Sequence, residues 1–246
     1  MQRDDPVAGA VPAAIPENEA ERLAAVRSYG ILDSLPEDVY DDLAFLASAI
    51  CQTPIALVSI IDEKRQFLVA NVGLPVMETP REVAFCAHAI LETEPFIVED
   101  ATTDPRFATN PLVTGHPDVR FYAGVPLRNP EGFPLGTLCA IDTKPRRLTA
   151  DQQRGLAALG RQVMVQLELR RAILVLEGTL AGTMHDSLSG PPSTLTPPPK
   201  SVDPRAAAER ARLLLRQSPD DGPMHDRIRG LLARLEILQA SQPPVR

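Results

Sequence analysis

Cys86 and His88 are the residues of this sequence whose types could support covalent chemistry or metal binding. A thiolate beside an imidazole can act as a nucleophile or as a metal ligand. Their spacing opposes such cooperation, because neighbours on a helix lie three or four residues apart, whereas residues two apart point to different sides. The simpler alternative is a structural cysteine and a hydrogen-bonded histidine, and the spacing favours it.

A second candidate group consists of polar side chains just before and within a predicted strand. Arg120 and Tyr122 alternate along that strand and therefore share a face, which makes them the best candidates for contact with a ligand. Asp100 is expected on the same side of the domain. The alternative is that Asp104 starts a helical turn and that Arg106 or Arg120 forms an ion pair with one of the two aspartates.

His185 follows a long predicted helix. Its surroundings, His185-Asp186-Ser187-Leu188, resemble the His-Asp-x-Leu element of one class of histidine kinase phosphoacceptors. Such a histidine must receive phosphate from an ATP-binding domain. No glycine-rich nucleotide-binding block occurs in this sequence, so a degenerate remnant or a histidine at a helix end is the favoured interpretation.

The three cysteines, Cys51, Cys86 and Cys139, are odd in number and far apart in the sequence. Their spacing fits neither a disulfide framework nor a zinc site. Each is therefore expected to pack as a small buried apolar residue.

Composition excludes several classes of protein. Hydrophobic residues make up 44% of the 246 residues, but aromatic ones only 4%, so the core must be mainly aliphatic. The net charge of −7 offers no basic footprint for nucleic acid. No apolar stretch approaches the roughly 20 residues that span a bilayer, and no signal peptide is visible. We therefore expect a soluble, cytoplasmic protein with neither a nucleic-acid nor a membrane partner.

The hydrophobic pattern predicts helices and strands that alternate over most of the chain. A first helix covers residues 17–29, a second is capped by Ser34 in a capping box, and a third covers residues 83–92. Strands are predicted over residues 55–62, 65–72, 95–100, 119–127 and 135–143. Thr149 is expected to cap a long final helix. Residues 169–181 of that helix extend beyond a compact domain, and their apolar stripe predicts pairing in a dimer.

Proline content and periodicity divide the chain into five predicted segments. They are a disordered N-terminal tail over residues 1–16, a globular domain over 17–171, an extension of the long helix over 172–189, a proline-rich linker over 190–204 and a helical hairpin over 205–246. The hairpin is too small to bury a core by itself.

Four short blocks follow one another in a fixed order in the globular segment. They are Phe-Cys-Ala-His-Ala-Ile (85–90), Asp-Pro-Arg-Phe (104–107), Arg-Phe-Tyr-Ala-Gly-Val-Pro-Leu (120–127) and Leu-Gly-Thr-Leu-Cys-Ala-Ile-Asp-Thr (135–143). This series resembles the GAF family, the small sensory domains common in bacterial signalling proteins. The resemblance extends from about Glu17 to Arg171, and is to the subgroup usually found with histidine kinases or diguanylate cyclases.

The resemblance implies an α/β (α+β) fold. A five- or six-stranded antiparallel sheet would have helices on both faces, followed by the long helix and the small C-terminal helical hairpin. Helices from residues 17–51 and 149–175 would share one face and form a dimer bundle, and the pocket loops would cover the other face. The candidate ligand-binding residues of that pocket are Cys86, His88, Asp100, Arg120, Tyr122 and Thr137.

The resemblance also implies a non-catalytic sensory or regulatory role. Such a module binds an unknown small molecule or a partner and passes the signal through its C-terminal helix, as a homodimer, to a kinase or cyclase in trans. No cofactor is expected. Residues 101–120 lack the cysteine that attaches a bilin, and the Asn-Lys…Phe…Asp-Glu signature of cyclic-nucleotide-binding GAF domains is absent.

Two enzymatic alternatives stay open. Some GAF proteins reduce free methionine sulfoxide with clustered cysteines, and Cys86 lies near the position of one of them. That chemistry needs a second thiol to resolve a sulfenic acid, and Cys139 could serve only if the fold brings it near. Histidine phosphotransfer at His185 is the second alternative. A third, non-enzymatic one is a domain that has lost its ligand and acts only as a dimerising scaffold.

Overall fold

Six strands form one antiparallel sheet in the order β3-β2-β1-β6-β5-β4. The computed structural model of the chain describes residues 7–34, 37–74 and 76–186, with side chains up to residue 179. The strands are β1 (Ile55–Ile61), β2 (Arg65–Val72), β3 (Glu78–Pro80), β4 (Phe96–Val98), β5 (Phe121–Arg128) and β6 (Pro134–Asp142). The predicted α+β class is confirmed.

Helices cover both faces of the sheet. They are α1 (Glu19–Ser28), α2 (Asp38–Cys51), α3 (Phe85–Ala89), α4 (Pro111–Thr114) and α5 (Ala150–Asp186). On one face, α2 contacts β1, β2 and β6, and α5 lies over Val125 and Leu127 of β5 at Gly160. On the other face, α3 packs over β1, β5 and β6. The two sides are called the α5 face and the α3 face below.

The central strands β1 and β6 are buried along their whole length, as the continuous apolar run of β1 predicts. They approach each other closely at Gly136, where an added Cβ would lie 1.8 Å from the backbone oxygen of Ser59. This approach sets Ser59 directly opposite Thr137. Their hydroxyl oxygens are 3.1 Å apart in the buried interior.

A buried arginine fastens α1 to the sheet. Arg22 has no exposed surface. It donates to both carboxylate oxygens of Glu19, at 2.7 and 2.9 Å. It also donates to the backbone oxygens of Ile61 and Pro134, at 2.8 and 3.3 Å. Arg81 donates to the same carboxylate, so Glu19 compensates two guanidinium groups that are almost entirely removed from water.

The capping box predicted at Ser34 is not formed, because α2 begins at Asp38 and its N-cap residue is Glu37, whose side chain does not cap the helix. A reciprocal box occurs instead at the predicted start of α5. The backbone N–H of Gln152 donates to Thr149 Oγ1 at 3.2 Å, and the backbone N–H of Thr149 donates to Gln152 Oε1 at 3.0 Å. Thr149 therefore caps the long helix as predicted.

The loop predicted between β2 and α3 contains a further strand. β3 pairs with β2 at the edge of the sheet, and a single 3-10 turn follows at Arg81–Val83. Three residues that end in Pro80 are too few to give an alternating pattern, and a proline is tolerated there because the strand is at an edge. The sequence therefore gives no signal for β3.

The N-terminal segment predicted to be disordered over residues 1–16 lies against the domain at residues 7–16. The backbone N–H of Val7 donates to the Glu82 carboxylate at 2.9 Å. Gly9 has a φ of +84°, and an added Cβ there would lie 2.3 Å from the carbonyl oxygen of Thr109. Backbone contacts hold this segment, so its hydrophobic pattern could not signal the docking.

The chain divides into two compact units, residues 1–166 and 167–246. The first contains the sheet, and the predicted boundary was residue 171. In the second, Leu167, Leu169, Ile173 and Leu176 of α5 are buried. The predicted linker over 190–204 and helical hairpin over 205–246 lie outside the described residues. Among the described helices, none has the length and apolar character to cross a membrane.

Candidate functional site

A small cavity lies on the α3 face of the sheet. Its volume is about 40 Å³, whereas small-molecule sites typically measure roughly 300–1,000 Å³. Since one water needs roughly 10–15 Å³, the cavity has room for about three water-sized molecules. Most of its lining is apolar, and the polar members are Gln66, Thr79, Cys86 and Tyr122.

Helix α3 directs Cys86 into this region, against the middle of the sheet. Cys86 Sγ lies 3.8 Å from Cys139 Sγ of β6. The hydroxyl of Tyr122 in β5 donates to Cys86 Sγ at 3.3 Å. Both cysteines are free thiols and are wholly buried. The fold thus brings a second thiol to Cys86, which the sequence alone could not establish.

Gly124 makes the position of the Tyr122 ring possible. An added Cβ at Gly124 would lie 2.2 Å from the Tyr122 hydroxyl oxygen. Gly124 also lies directly opposite Cys139 in the β5–β6 ladder. Because Gly124 has no side chain, the Tyr122 ring can lie along its own strand, with its hydroxyl directed toward Cys86. Phe85 stacks on the same ring, with centroids 5.3 Å apart.

The two thiols differ in acidity. Burial raises the pKa of Cys86, but the polar groups beside its sulfur outweigh burial, so the pKa of Cys86 lies below its ordinary value. Cys139 and Tyr122 hydrogen-bond to that sulfur, and the hydroxyl groups of Ser59 and Thr137 act on it from nearby. Burial and the neighbouring Cys86 raise the pKa of Cys139. Three hydroxyl groups thus favour the thiolate at Cys86 rather than at Cys139.

The cavity also holds a polar atom without a partner. Thr79 Oγ1 is buried and has no hydrogen bond within the described residues. Gln66 is buried as well and lines the same space. Buried polar atoms are nearly always hydrogen-bonded, so these groups suit a small occupant that can both donate and accept.

His88 is held away from the thiol pair. Its Nε2 is 3.0 Å from the carbonyl oxygen of Val11, and its ring packs edge-on against Phe107 with centroids 4.8 Å apart. Burial lowers the pKa of His88. Cys86 and His88 thus have different partners, as expected for residues two apart on a helix, and His88 is not part of the cavity lining.

Asp100 and Arg120 are engaged within their own loops. Asp100 accepts hydrogen bonds from the hydroxyl and backbone N–H of Thr102, at 2.7 and 3.0 Å. Arg120 donates to the carbonyl oxygens of Val113 and Val119, at 2.8 and 3.1 Å. Neither lines the cavity. Their role in ligand binding stays a prediction.

The alternative interpretation of Asp104 and Arg106 agrees with the structure. Arg106 donates through Nε and Nη2 to the two carboxylate oxygens of Asp104, at 2.9 and 2.6 Å. Its guanidinium lies 4.7 Å from the centroid of the Phe96 ring. The pair is a local clamp on the turn, and its hydrogen bonds lower the pKa of Asp104.

Thr137 does not line the cavity but lies near Cys86 and Cys139. Its hydroxyl is beside that of Ser59 and favours the thiolate form of Cys86. His185 lies near the end of α5, where side chains are outside the described residues. Within the described part of the chain, no group of three or more His, Cys, Asp or Glu side chains could hold a metal ion.

Gln66, Thr79, Gly124 and Cys139 were not among the predicted site residues. Gln66 and Thr79 lie in stretches whose pattern indicates only strand or loop, whereas Gly124 falls within the third of the four sequence blocks. Cys139 falls within the last of the four sequence blocks, and its nearness to Cys86 depends on how α3 packs over β6. The blocks themselves were therefore the available signal, but they give no distance between the two thiols.

Comparison with known proteins agrees with this architecture. The sequence profile described as GAF domain matches residues 35–167, which is more than half of the chain. A cyclic di-GMP phosphodiesterase of Pseudomonas aeruginosa is 44% identical over 158 residues, which cover 64% of this chain and 27% of the relative. The chain thus spans about a quarter of the length of that relative.

Two solved structures are similar in fold. The GAF domain from an Acinetobacter phosphoenolpyruvate-protein phosphotransferase is 19% identical, with a TM-score of 0.46 and coverage of 62% of this chain and 96% of that one. A free methionine-R-sulfoxide reductase from Neisseria meningitidis, in complex with its substrate, is 14% identical, with a TM-score of 0.45 and coverage of 65% and 96%. The profile match and the six-stranded sheet establish that this chain belongs to the GAF domain family.

Proposed function

We propose that this chain is a regulatory module in which an occupant of the α3-face cavity changes the position of α5. The observation that supports this proposal is that one strand, β5, contacts both the cavity and α5. Tyr122 of β5 lines the cavity on the α3 face, and Val125 of the same strand meets α5 on the opposite face. A displacement of β5 from the cavity side is therefore transmitted to the helix.

The contact between β5 and α5 is close enough to transmit such a displacement. An added Cβ at Gly160 would lie 2.8 Å from Val125 Cγ1, so the helix backbone rests almost directly on the strand. Gly155, one and a half turns earlier, has Ile50 of α2 at a similarly short distance of 3.0 Å from an added Cβ. Close-packed interfaces respond to shifts of a fraction of an ångström because they have little free volume.

The cavity limits what the occupant can be. At about 40 Å³ it accepts a molecule of few atoms without rearrangement. A larger ligand would have to displace Leu74 and Leu112, which are partly buried and pack against the same core. The ligand is thus either very small or one that opens this edge of the domain.

The output that we propose is cyclic di-GMP turnover by another protein. The relative from Pseudomonas aeruginosa is named as a cyclic di-GMP phosphodiesterase and shares 44% identity with this chain. A shared regulatory segment would fit one signalling system in both cases. A kinase of a two-component system is the alternative output partner.

Removing this chain from its native cells should change intracellular cyclic di-GMP several-fold, the size of a coupling free energy of about 1 kcal/mol. Restoring the Gly160→Leu variant should not reverse the change, because the side chain would force α5 off Val125. Cyclic di-GMP measured by mass spectrometry of cell extracts gives the readout.

The matched control is Gly178→Leu, the same change on the same helix at a position where an added Cβ meets nothing within 4 Å in the described part of the chain. It should restore the native cyclic di-GMP level. An unchanged level after removal of the chain would overturn the proposed output. Full restoration by Gly160→Leu would overturn the route through α5.

Dimer formation is part of the proposal, and we favour α2, which belongs to the predicted dimer bundle of helices from residues 17–51 and 149–175, over the seam predicted at residues 169–181. Three apolar side chains of α2 are exposed: Phe45, Leu46 and Ile50, at 63%, 44% and 37%. Leu46 and Ile50 are four residues apart and so share a side of the helix, and Ile50 lies next to α5 at Gly155. The predicted seam over residues 169–181 has Leu169 and Ile173 already buried in the single chain, so we place the dimer contact on α2.

The wild-type protein should have the mass of a dimer in light scattering at tens of micromolar, and Phe45→Glu should give a monomer, because a charge would be buried in an apolar contact. Leu91→Glu is the matched control, since Leu91 is exposed to 39% beyond α3. It should leave the dimer intact. A monomeric wild-type protein would refute the dimer, and a dimeric Phe45→Glu variant would refute the surface.

One observation keeps the reductase alternative open. Cys139 supplies the second thiol that sulfoxide chemistry requires, 3.8 Å from Cys86. Against it, the cavity beside Cys86 is far smaller than sites for molecules of the size of an amino acid. The sensory role is therefore preferred. Phosphotransfer at His185 stays an untested alternative.

A further inference from the structure

The thiol pair of Cys86 and Cys139 is arranged for reaction rather than only for packing. At 3.8 Å the two sulfur atoms are in van der Waals contact and point at each other. A disulfide needs about 2.05 Å, so a further approach of less than two ångströms would bond them. The third cysteine, Cys51, is also buried, and burial raises its pKa to about 11.

The environment gives the two thiols different roles. Three hydroxyl groups surround Cys86, and the one of Tyr122 donates to its sulfur at 3.3 Å. Cys139 belongs to strand β6, over which α3 places Cys86, and it does not line the cavity. Thiolates, not thiols, attack oxidants. Cys86 is thus the nucleophile that meets an incoming oxidant, and Cys139 is the resolving thiol.

The cavity beside Cys86 selects the oxidant by size and polarity. Its volume of about 40 Å³ admits hydrogen peroxide, which is about as large as two waters. Thr79 Oγ1, which has no hydrogen-bond partner among the described residues, and the Gln66 side chain offer hydrogen bonds to a molecule that both donates and accepts. Apart from these two residues, and from Cys86 and Tyr122, the described lining residues are apolar, and none of them carries a positive charge that would attract an anionic oxidant.

We infer that Cys86 and Cys139 form a peroxide-reactive dithiol site, in which hydrogen peroxide oxidises Cys86 and Cys139 then closes a disulfide. The Cys86 thiolate attacks one peroxide oxygen, the O–O bond breaks, and the leaving hydroxide takes a proton to become water. Cys86 is now a sulfenic acid. The Cys139 sulfur attacks it, an S–S bond forms, and a second water leaves with the Cys139 proton. Two thiols and one peroxide thus give one disulfide and two waters.

The disulfide would change the same strands that carry the cavity. It would draw α3 toward β6 and remove the thiolate that accepts the Tyr122 hydrogen bond. A dithiol reductant would reverse the step by thiol–disulfide exchange. The chemistry does not depend on the proposed regulatory role, because it concerns the two thiols and not the output protein.

The test is peroxide titration of the full native chain, followed by denaturation, alkylation of free thiols and peptide mass spectrometry. Hydrogen peroxide should consume two of the three free thiols and give one peptide pair joined through Cys86 and Cys139. Cys51→Ser should behave like the wild type. Cys86→Ser should consume no thiol, and Cys139→Ser should leave a sulfenic acid at Cys86 that dimedone traps.

Tyr122→Phe separates a reactive site from accidental proximity. Loss of one hydrogen bond to the thiolate raises the pKa of Cys86 and should slow disulfide formation several-fold at neutral pH, because a smaller fraction of Cys86 is then thiolate. Tyr40→Phe is the matched control, because Tyr40 belongs to α2 on the α5 face and lies outside the core cluster that contains Cys86, Tyr122 and Cys139. It should leave the rate unchanged. Circular dichroism checks that each variant is folded.

The wild-type measurement alone can overturn the inference. Three thiols that survive peroxide, a disulfide that includes Cys51, or oxidation of Cys86 to sulfinic acid without a disulfide would each do so. Cumene hydroperoxide is too large for the cavity and should react far more slowly than hydrogen peroxide. Equal rates for the two peroxides would show that the cavity does not control access. None of these results bears on cyclic di-GMP, so failure here is distinct from failure of the regulatory proposal.

Discussion

Gly136→Ala should destabilise the domain by at least about 3 kcal/mol, which lowers the Tm by roughly 10 °C. The methyl group would lie 1.8 Å from the backbone oxygen of Ser59, and 2.8 Å from the Ile60 Cα. These atoms belong to the neighbouring strand and cannot rotate away as a side chain can. The methyl group would therefore separate β1 from β6 at the centre of the sheet.

Thermal and urea unfolding, followed by circular dichroism, measure this effect. Gly178→Ala is the matched control, because Gly178 is exposed on α5 and an added Cβ there meets no atom of the described residues within 4 Å. Alanine is favoured over glycine inside a helix by about 1 kcal/mol, so this variant should be as stable as the wild type or more stable. A Gly136→Ala protein that melts within about a degree of the wild type would contradict the close approach of the strands.

The same substitution should also reach the thiol site. Ser59 and Thr137, which flank Gly136 in the ladder, place hydroxyl groups near Cys86. Separating the strands would move both hydroxyls and weaken the preference for a thiolate at Cys86. Stability and thiol reactivity should therefore fall together in this variant, whereas Tyr122→Phe should change reactivity alone.

The sequence predicts the sheet well because its signals are local. The strands β1 and β2 are separated by three residues, and β5 and β6 by five, so each pair is predicted from residues that are close in the sequence. Thr149 as a helix cap is equally local. The capping box predicted at Ser34 was wrong because it also rests on a local signal alone. A capping motif can be present in the sequence although the helix begins elsewhere, here at Asp38.

The candidate site was predicted only in part, because its decisive contact is long-range. Cys86 and Tyr122 lie in blocks that the sequence singles out. Cys86 and Cys139 are 53 residues apart in the sequence, and the distance of 3.8 Å between their sulfur atoms depends on the packing of α3 on β6. Spacing arguments concern neighbours within one helix or strand, so they correctly separated Cys86 from His88. They could not bring Cys139 to Cys86.

A charged core residue is the other feature that sequence reasoning misses. Arg22 is wholly buried, whereas Arg27 of the same helix is exposed. Arginine is so rarely buried without a partner that a hydrophobic pattern treats both as surface residues. Arg22 differs from Arg27 in its partners, which are the Glu19 carboxylate one turn earlier and the backbone oxygens of Ile61 in β1 and Pro134 in β6. Those acceptors are visible only in the folded structure.

Glu19→Gln should therefore lower the free energy of unfolding by about 3 kcal/mol, since breaking a buried ion pair leaves an uncompensated charge. The carboxylate accepts from Arg22 at 2.7 and 2.9 Å and also from Arg81. A glutamine of the same shape offers one acceptor and turns its NH₂ group toward a guanidinium. Glu21→Gln on the exposed side of α1 is the matched control and should change stability by less than about 0.5 kcal/mol.

The effect of Glu19 should depend on pH in a defined direction. Burial tends to raise the pKa of Glu19, but hydrogen bonds and charge from Arg22 and Arg81 outweigh burial and hold it below its ordinary value of 4.5. Because the folded pKa is below the unfolded one, the stabilisation is complete above the unfolded pKa and is lost as the pH falls through the folded pKa. Urea unfolding across this range should give a wild-type minus Glu19→Gln difference that is constant above about pH 5 and shrinks below about pH 4.5. A difference that grew on acidification would mean that Glu19 is protonated in the folded protein, and the two arginines would then need another counterion.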